Sequence, residues 1–190
     1  KKKFFNELNS IWLNEKLDQK TIYNNEYRIP FFGGWFVYLG YEMAREIEPK
    51  LQIPESPFIL PDAFAARVNT AIIFDNIEKN LFIVSDKLID AQKDFDQIID
   101  DIENIEINKK FQANGIIKMV RKDSGDLHQK QVKSCIDYIF QGEIFQANLS
   151  RLWNFRINKD VLDYNLYRKL REKNPSPFSA LIRYGKSSIV

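Results

Sequence analysis

Apolar residues fall at positions 88, 91, 95, 98, 102 and 105, a 3-4-3-4-3 spacing that puts all six on one stripe of a helix over residues 87–105. Residues 4–17 repeat the pattern with Phe4, Leu8, Ile11, Trp12 and Leu17. A third helix is predicted over 126–141, with Val132, Cys135, Ile136, Ile139 and Phe140 as its buried side, and Gly142 stands where a left-handed cap is wanted. A fourth spans 160–173, with Asp160 or Asn158 as N-cap and Asn174-Pro175-Ser176-Pro177 as its stop.

Strand signals alternate with these helices. Pro30-Phe31-Phe32-Gly33-Gly34 is a turn signal ahead of the aromatic run 35–41, read as a strand. Prolines 49, 54, 57 and 61 mark an irregular connection. Residues 65–75 and 80–85 predict a hairpin, with Asp75-Asn76 opening its loop, and residues 178–184 predict another strand. Residues 108–121 are poorly patterned and read as a linker that pairs loosely. The mixed order predicts an α+β fold without internal repeats.

The strand expected at 143–157 is the most informative. Phe145, Ala147, Leu149, Trp153 and Phe155 share one side, interrupted by Arg151. Gln146, Asn148, Ser150 and Asn154 share the other, interrupted by Ile144 and Leu152. The amide side reads either as a solvated face or as a buried polar lining whose amides hydrogen-bond nearby loops.

Composition narrows the function classes. With 28 Lys+Arg against 26 Asp+Glu, the net charge of +2 is too balanced for electrostatic nucleic-acid binding. Lys1 to Lys3 read as a solvated end rather than a leader, and no apolar run approaches the ~20 residues of a membrane span. The single cysteine, Cys135, forms no internal disulfide and suits a reducing, cytoplasmic setting. The chain does not start with Met and stops on a rising strand, so it is expected to be a fragment.

Chemistry is excluded more easily than assigned. His128 and Cys135 lie seven residues apart on one predicted helix, roughly 10 Å along its axis, too far for a nucleophile and its base. The same shortage of ligands excludes zinc. Gly33-Gly34 with Gly40 lacks the dinucleotide fingerprint, and the doublet reads as a flexible turn where backbone passes close to backbone. Asp94, Asp96, Asp100, Asp101 and Glu103 read as a solvated helix face.

Several segments, in order, resemble one family. Gly142-Glu143-Ile144-Phe145-Gln146-Ala147-Asn148-Leu149 resembles the G-[DE]-x-[FY]-Q-x-N-L signature of the chorismate-utilising synthases, the anthranilate and aminodeoxychorismate synthase component I family. Pro30-Phe31-Phe32-Gly33-Gly34 with Gly40-Tyr41-Glu42, then Leu60-Pro61-Asp62-Ala63 with the later Asp75, resemble its N-terminal motifs. Tyr167, Leu170 and Asn174-Pro175-Ser176-Pro177-Phe178-Ser179-Ala180 resemble a further one.

The resemblance implies a mostly antiparallel β-sandwich with flanking helices. Residues 1–108 would form an N-terminal region and 109–190 the beginning of the chorismate-binding region. It implies chorismate as substrate, magnesium as cofactor, and a glutamine amidotransferase subunit as the partner supplying ammonia. Residues 40–49 and 177–180 are closer to the aminodeoxychorismate branch, which leads to p-aminobenzoate and folate. Anthranilate synthesis is the alternative, and a non-catalytic amino-acid-binding or glutaminase-docking module a second. The family's catalytic and magnesium-binding segments correspond to positions after Val190, so no catalytic or metal residue is carried over. Pro177, Phe178 and Ser179 match part of the family's tryptophan pocket, while Gln146 and Asn148 are expected to be buried and structural.

Overall fold

Two compact units, Lys1–Ile107 and Asn108–Val190, make up the chain. The computed structural model describes residues 3–16, 29–87, 89–105, 117–157 and 161–190. It contains helices and antiparallel strand pairs, consistent with an α+β class. No helix among the described residues is long and apolar enough to cross a membrane.

In the first unit, helix α1 (Phe4–Glu15) precedes strand β1 (Gly34–Leu39). The aromatic run ends as a strand one residue before Gly40, earlier than its composition predicts. The Gly40 amide donates to the Asp62 carbonyl at 2.7 Å, and the chain turns there into a 3-10 turn (Tyr41–Met43) and the short helix α2 (Ala44–Ile47).

The expected hairpin over 65–75 and 80–85 is divided differently. Residues 63–74 form two strands, β2 (Ala63–Val68) and β3 (Thr70–Phe74), parted at Asn69. Strand β2 pairs antiparallel with β1, Gly34 opposite Val68 and Leu39 opposite Ala63. Strand β3 pairs with β4 (Leu81–Ser85), Thr70 opposite Ser85. Around the β3–β4 loop, the Asp75 carboxylate accepts from the Ile77 amide at 2.7 Å and the Glu78 amide at 3.1 Å, closing an Asx turn.

Helix α3 (Ala91–Glu103) starts later than position 87. Of its apolar stripe, Ala91, Phe95 and Ile98 are half-buried, Ile102 and Ile105 are exposed, and Leu88 lies outside the described residues. Residues 85–87 are instead committed to the sheet. The Asp86 amide donates to the Asn69 carbonyl at 3.0 Å, and Lys87 Nζ and Thr70 Oγ1 both reach the Asp94 carboxylate, at 2.5 and 2.9 Å.

The second unit holds β5 (Ile117–Lys122), α4 (Gly125–Phe140), β6 (Trp153–Ile157), α5 (Asp163–Lys173), β7 (Ile182–Tyr184) and β8 (Ser187–Ile189). The stretch read as a linker therefore ends in a strand: β5 pairs antiparallel with β6, with a bulge between Met119 and Arg121. The strand expected over 143–157 shortens to 153–157. Its partner β5 gives way to α4 at Gly125, so the ladder stops where the Asp123 amide meets the Leu152 carbonyl at 3.0 Å.

Helix α4 closes as the glycine predicts. Gly142 takes φ +76°, its amide donates to the Ile139 carbonyl, and the Glu143 amide donates to the Tyr138 carbonyl, a Schellman cap. The N-cap candidates Asn158 and Asp160 lie outside the described residues; α5 begins at Asp163, following Leu162. The strand expected at 178–184 is only β7, which turns at Gly185 into β8.

Burial is sparse. Among the described residues, Met43 and Val84 are the buried hydrophobic side chains and Asn165 the buried polar one.

Candidate functional site

In the first unit the glycine doublet meets a side chain, not the backbone that the sequence reading expected. A Cβ on Gly33 would stand 2.2 Å from Asp86 Oδ2, and Gly33 itself has φ +131°. Glycine is thus required twice over, for space and for conformation.

Asp86 is 3% exposed and pairs with the Arg67 guanidinium, while its other oxygen accepts from Asn69 Nδ2 at 3.2 Å. Arg67 donates onward to Glu15 at 2.8 Å and to the Gly34 and Val68 carbonyls, both at 2.9 Å. Its guanidinium lies 5.9 Å from the Trp35 ring centroid. The Asp86 hydrogen bond raises the Arg67 pKa, against an opposing desolvation effect. A buried carboxylate is tolerable when paired and hydrogen-bonded in this way. Chemically this is a clamp that joins α1, β1, β2 and the end of β4.

The other N-terminal motifs are also accounted for by local structure. Gly40 is bound to Asp62, Arg45 Nε donates to the Glu42 carbonyl at 3.2 Å, and an exposed Arg45–Asp62 pair lies at 3.5 Å. Asp75 is the turn residue already described.

In the second unit, Pro177, Phe178 and Ser179 occupy one tight turn. The Ser179 amide and hydroxyl both donate to the Ser176 carbonyl, at 3.3 and 3.0 Å. Tyr167 Oη of α5 donates to the Ser179 carbonyl at 3.0 Å, and the Arg171 guanidinium sits 5.5 Å from the Tyr167 ring centroid. Phe178 stands at the tip of the turn, 93% exposed. The turn presents an aromatic face on a fixed base, with Tyr167 as a support that the motif contained but the sequence reading left without a role.

Gln146 and Asn148 do not fulfil the expectation of burial. They are exposed, as are Phe145, Ala147, Leu149 and Ser150, in a stretch without strand pairing. Once β5 has ended, the described residues leave 145–150 uncovered on both sides.

A cluster that the sequence did not announce joins α5 to the β7–β8 hairpin. Arg183 donates to both carboxylate oxygens of Asp163, through Nε at 2.6 Å and through a second guanidinium nitrogen, and Ser188 Oγ donates at 2.5 Å. The Arg183 hydrogen bonds first, then Ser188, hold the Asp163 carboxyl well below the usual carboxylate range. Asp163 is legible as an acidic first-turn residue, but Arg183, 20 residues on, is not legible as its partner.

No three His, Cys, Asp or Glu side chains converge on a metal-sized site among the described residues.

Antiparallel strand pairs with helices between them define the class as α+β, and the Gln146–Asn148 and Pro177–Ser179 motifs lie in unpaired segments of the second unit. The profile described as chorismate binding enzyme matches residues 2–190, and the chain belongs to that family. It is 28% identical to anthranilate synthase alpha subunit 1, chloroplastic, of Oryza sativa subsp. indica, over 80% of this chain and 30% of the relative. It is 24% identical to aminodeoxychorismate synthase component 1 of Escherichia coli K12, over 93% of this chain and 37% of the relative. The chain thus spans about a third of the length of these relatives. The crystal structure of anthranilate synthase component I from Streptococcus pneumoniae TIGR4 shares the fold, with a TM-score of 0.72 and 21% identity over 95% of this chain and 42% of that one.

Proposed function

We propose that these residues are part of an aminodeoxychorismate synthase component I, which aminates chorismate with ammonia from a glutamine amidotransferase partner to give 4-amino-4-deoxychorismate. The observation that carries this reading is the family match across residues 2–190, with the Gly142 to Leu149 signature inside it. The 93% coverage by the Escherichia coli relative, and the Pro177-Phe178-Ser179-Ala180 segment, favour this branch. Magnesium use, a cytoplasmic setting and the assembly of the strand pairs into a β-sandwich belong to the same proposal.

The activity is a property of the whole synthase; the 190 residues alone are expected to be inactive. Pro177, Phe178 and Ser179 would form one wall of a tryptophan pocket, because an exposed aromatic ring on a hydrogen-bonded turn can stack on an indole. Anthranilate formation is the second reading, favoured by Asn174-Pro175-Ser176-Pro177 and by the 28% identical relative.

The test is product analysis of the whole synthase with chorismate, magnesium and ammonium salt in place of the partner. A 4-amino product that a lyase converts to p-aminobenzoate is the expected result. Fluorescent anthranilate would overturn the branch, and a folded synthase that consumes no chorismate would overturn amination altogether.

A further inference from the structure

Helix α1 is attached to the rest of its unit in an unusual way. Its N-cap residue Lys3 makes no side-chain cap, and the first-turn amides are served from far along the chain. The Phe4 and Phe5 amides donate to the two oxygens of the Glu46 carboxylate at 3.1 and 3.0 Å. At the other end Glu15 accepts from Arg67 Nε at 2.8 Å. Between these points no residue of α1 is buried, and a cavity of about 540 Å³ lies between Phe5, Leu8 and Trp12 of the helix and Trp35 and Val37 of β1.

We propose that α1 is a strap, fastened by one carboxylate at each end, that opens as a unit from the β1–β2 strand pair while the pair stays formed. A 12-residue helix is marginal by itself, so its helicity depends on these fastenings and on the half-buried Phe4, Phe5 and Leu8. Losing Glu46 orphans two amides and removes a negative charge from the positive end of the helix dipole, which loosens the first turn and the docking together. Losing Glu15 leaves Arg67 with Asp86, Gly34 and Val68, so the clamp on the strand pair survives when the strap lifts. Opening uncovers the apolar side of β1 at Trp35 and Val37.

Native-state hydrogen exchange of the 190-residue chain, read by mass spectrometry on separate peptides, tests the strap. Glu46→Ala is expected to speed exchange in 4–15 by about tenfold, with 34–39 and 63–68 unchanged. Glu15→Ala should give a smaller acceleration confined to the same residues. Equal acceleration across α1, β1 and β2, or loss of protection in the β1–β2 pair, would overturn the proposal by showing one cooperative unit. No acceleration in 4–15 would overturn it as well.

Discussion

Gly33 shows how much one position can conceal. From the sequence, a glycine doublet after Pro30-Phe31-Phe32 says only that the backbone turns sharply. In the fold, the missing Cβ makes room for a carboxylate that arrives from 53 residues further on (86 − 33). Gly33→Ala must displace Asp86 and adopt a positive φ that alanine resists, so it should cost about 2–4 kcal/mol of stability. Urea denaturation of the variant against the parent chain measures this, and a loss under about 0.5 kcal/mol would mean that Asp86 moves aside freely. Gln146 and Asn148 teach the opposite lesson. Their alternation was legible, but alternation distinguishes two faces of a strand only if a neighbouring element covers one of them.

At the scale of elements, helices were read more accurately than strands. The predicted helix at 126–141 and the observed Gly125–Phe140 differ by one residue at each end, because periodicity and Gly142 are local signals. Strand limits depend on partners: β6 begins only opposite the last residue of β5, and residues 63–74 split at Asn69 because β2 and β3 pair with different neighbours.

The contact between α5 and the β7–β8 hairpin gives a pH prediction. Asp163 is more acidic in the folded chain than in the unfolded one, so its contribution is complete above the ordinary carboxylate range near pH 4. It is lost only as pH falls towards the lower folded value. Asp163→Asn should therefore lower the thermal midpoint at pH 7 and flatten its decline between about pH 4 and pH 2. Parallel acid limbs for the two chains would remove Asp163 from the account.

For the molecule as a whole, the exposed apolar surface dominates. Phe140 is 86% exposed and Phe145 92%, and the Trp153 and Phe155 rings, 6.3 Å apart on β6, are about half exposed. Among the described residues each sheet has two strands, which leaves backbone edges open to pairing. The 190-residue chain should therefore associate as its concentration rises, and sedimentation velocity should show species heavier than 22.5 kDa. Phe145→Asp should reduce the association without lowering the thermal midpoint, since Phe145 contributes an exposed face and little internal packing. A single monomeric boundary at all concentrations would contradict this.

By itself the sequence determined the family, the α+β class and where the four longer helices lie, to within a few residues at their ends. Each of these is carried by short-range periodicity, cap chemistry and ordered motifs that need no knowledge of the fold. Only the tertiary structure decided why Gly33 is glycine, which strands pair, what fastens α1, and that Tyr167 supports the Pro177–Ser179 turn. Those outcomes depend on contacts between residues distant along the chain, such as Arg67 with Glu15 and Asp86, or Asp163 with Arg183. Such contacts form in space and leave no period in the sequence.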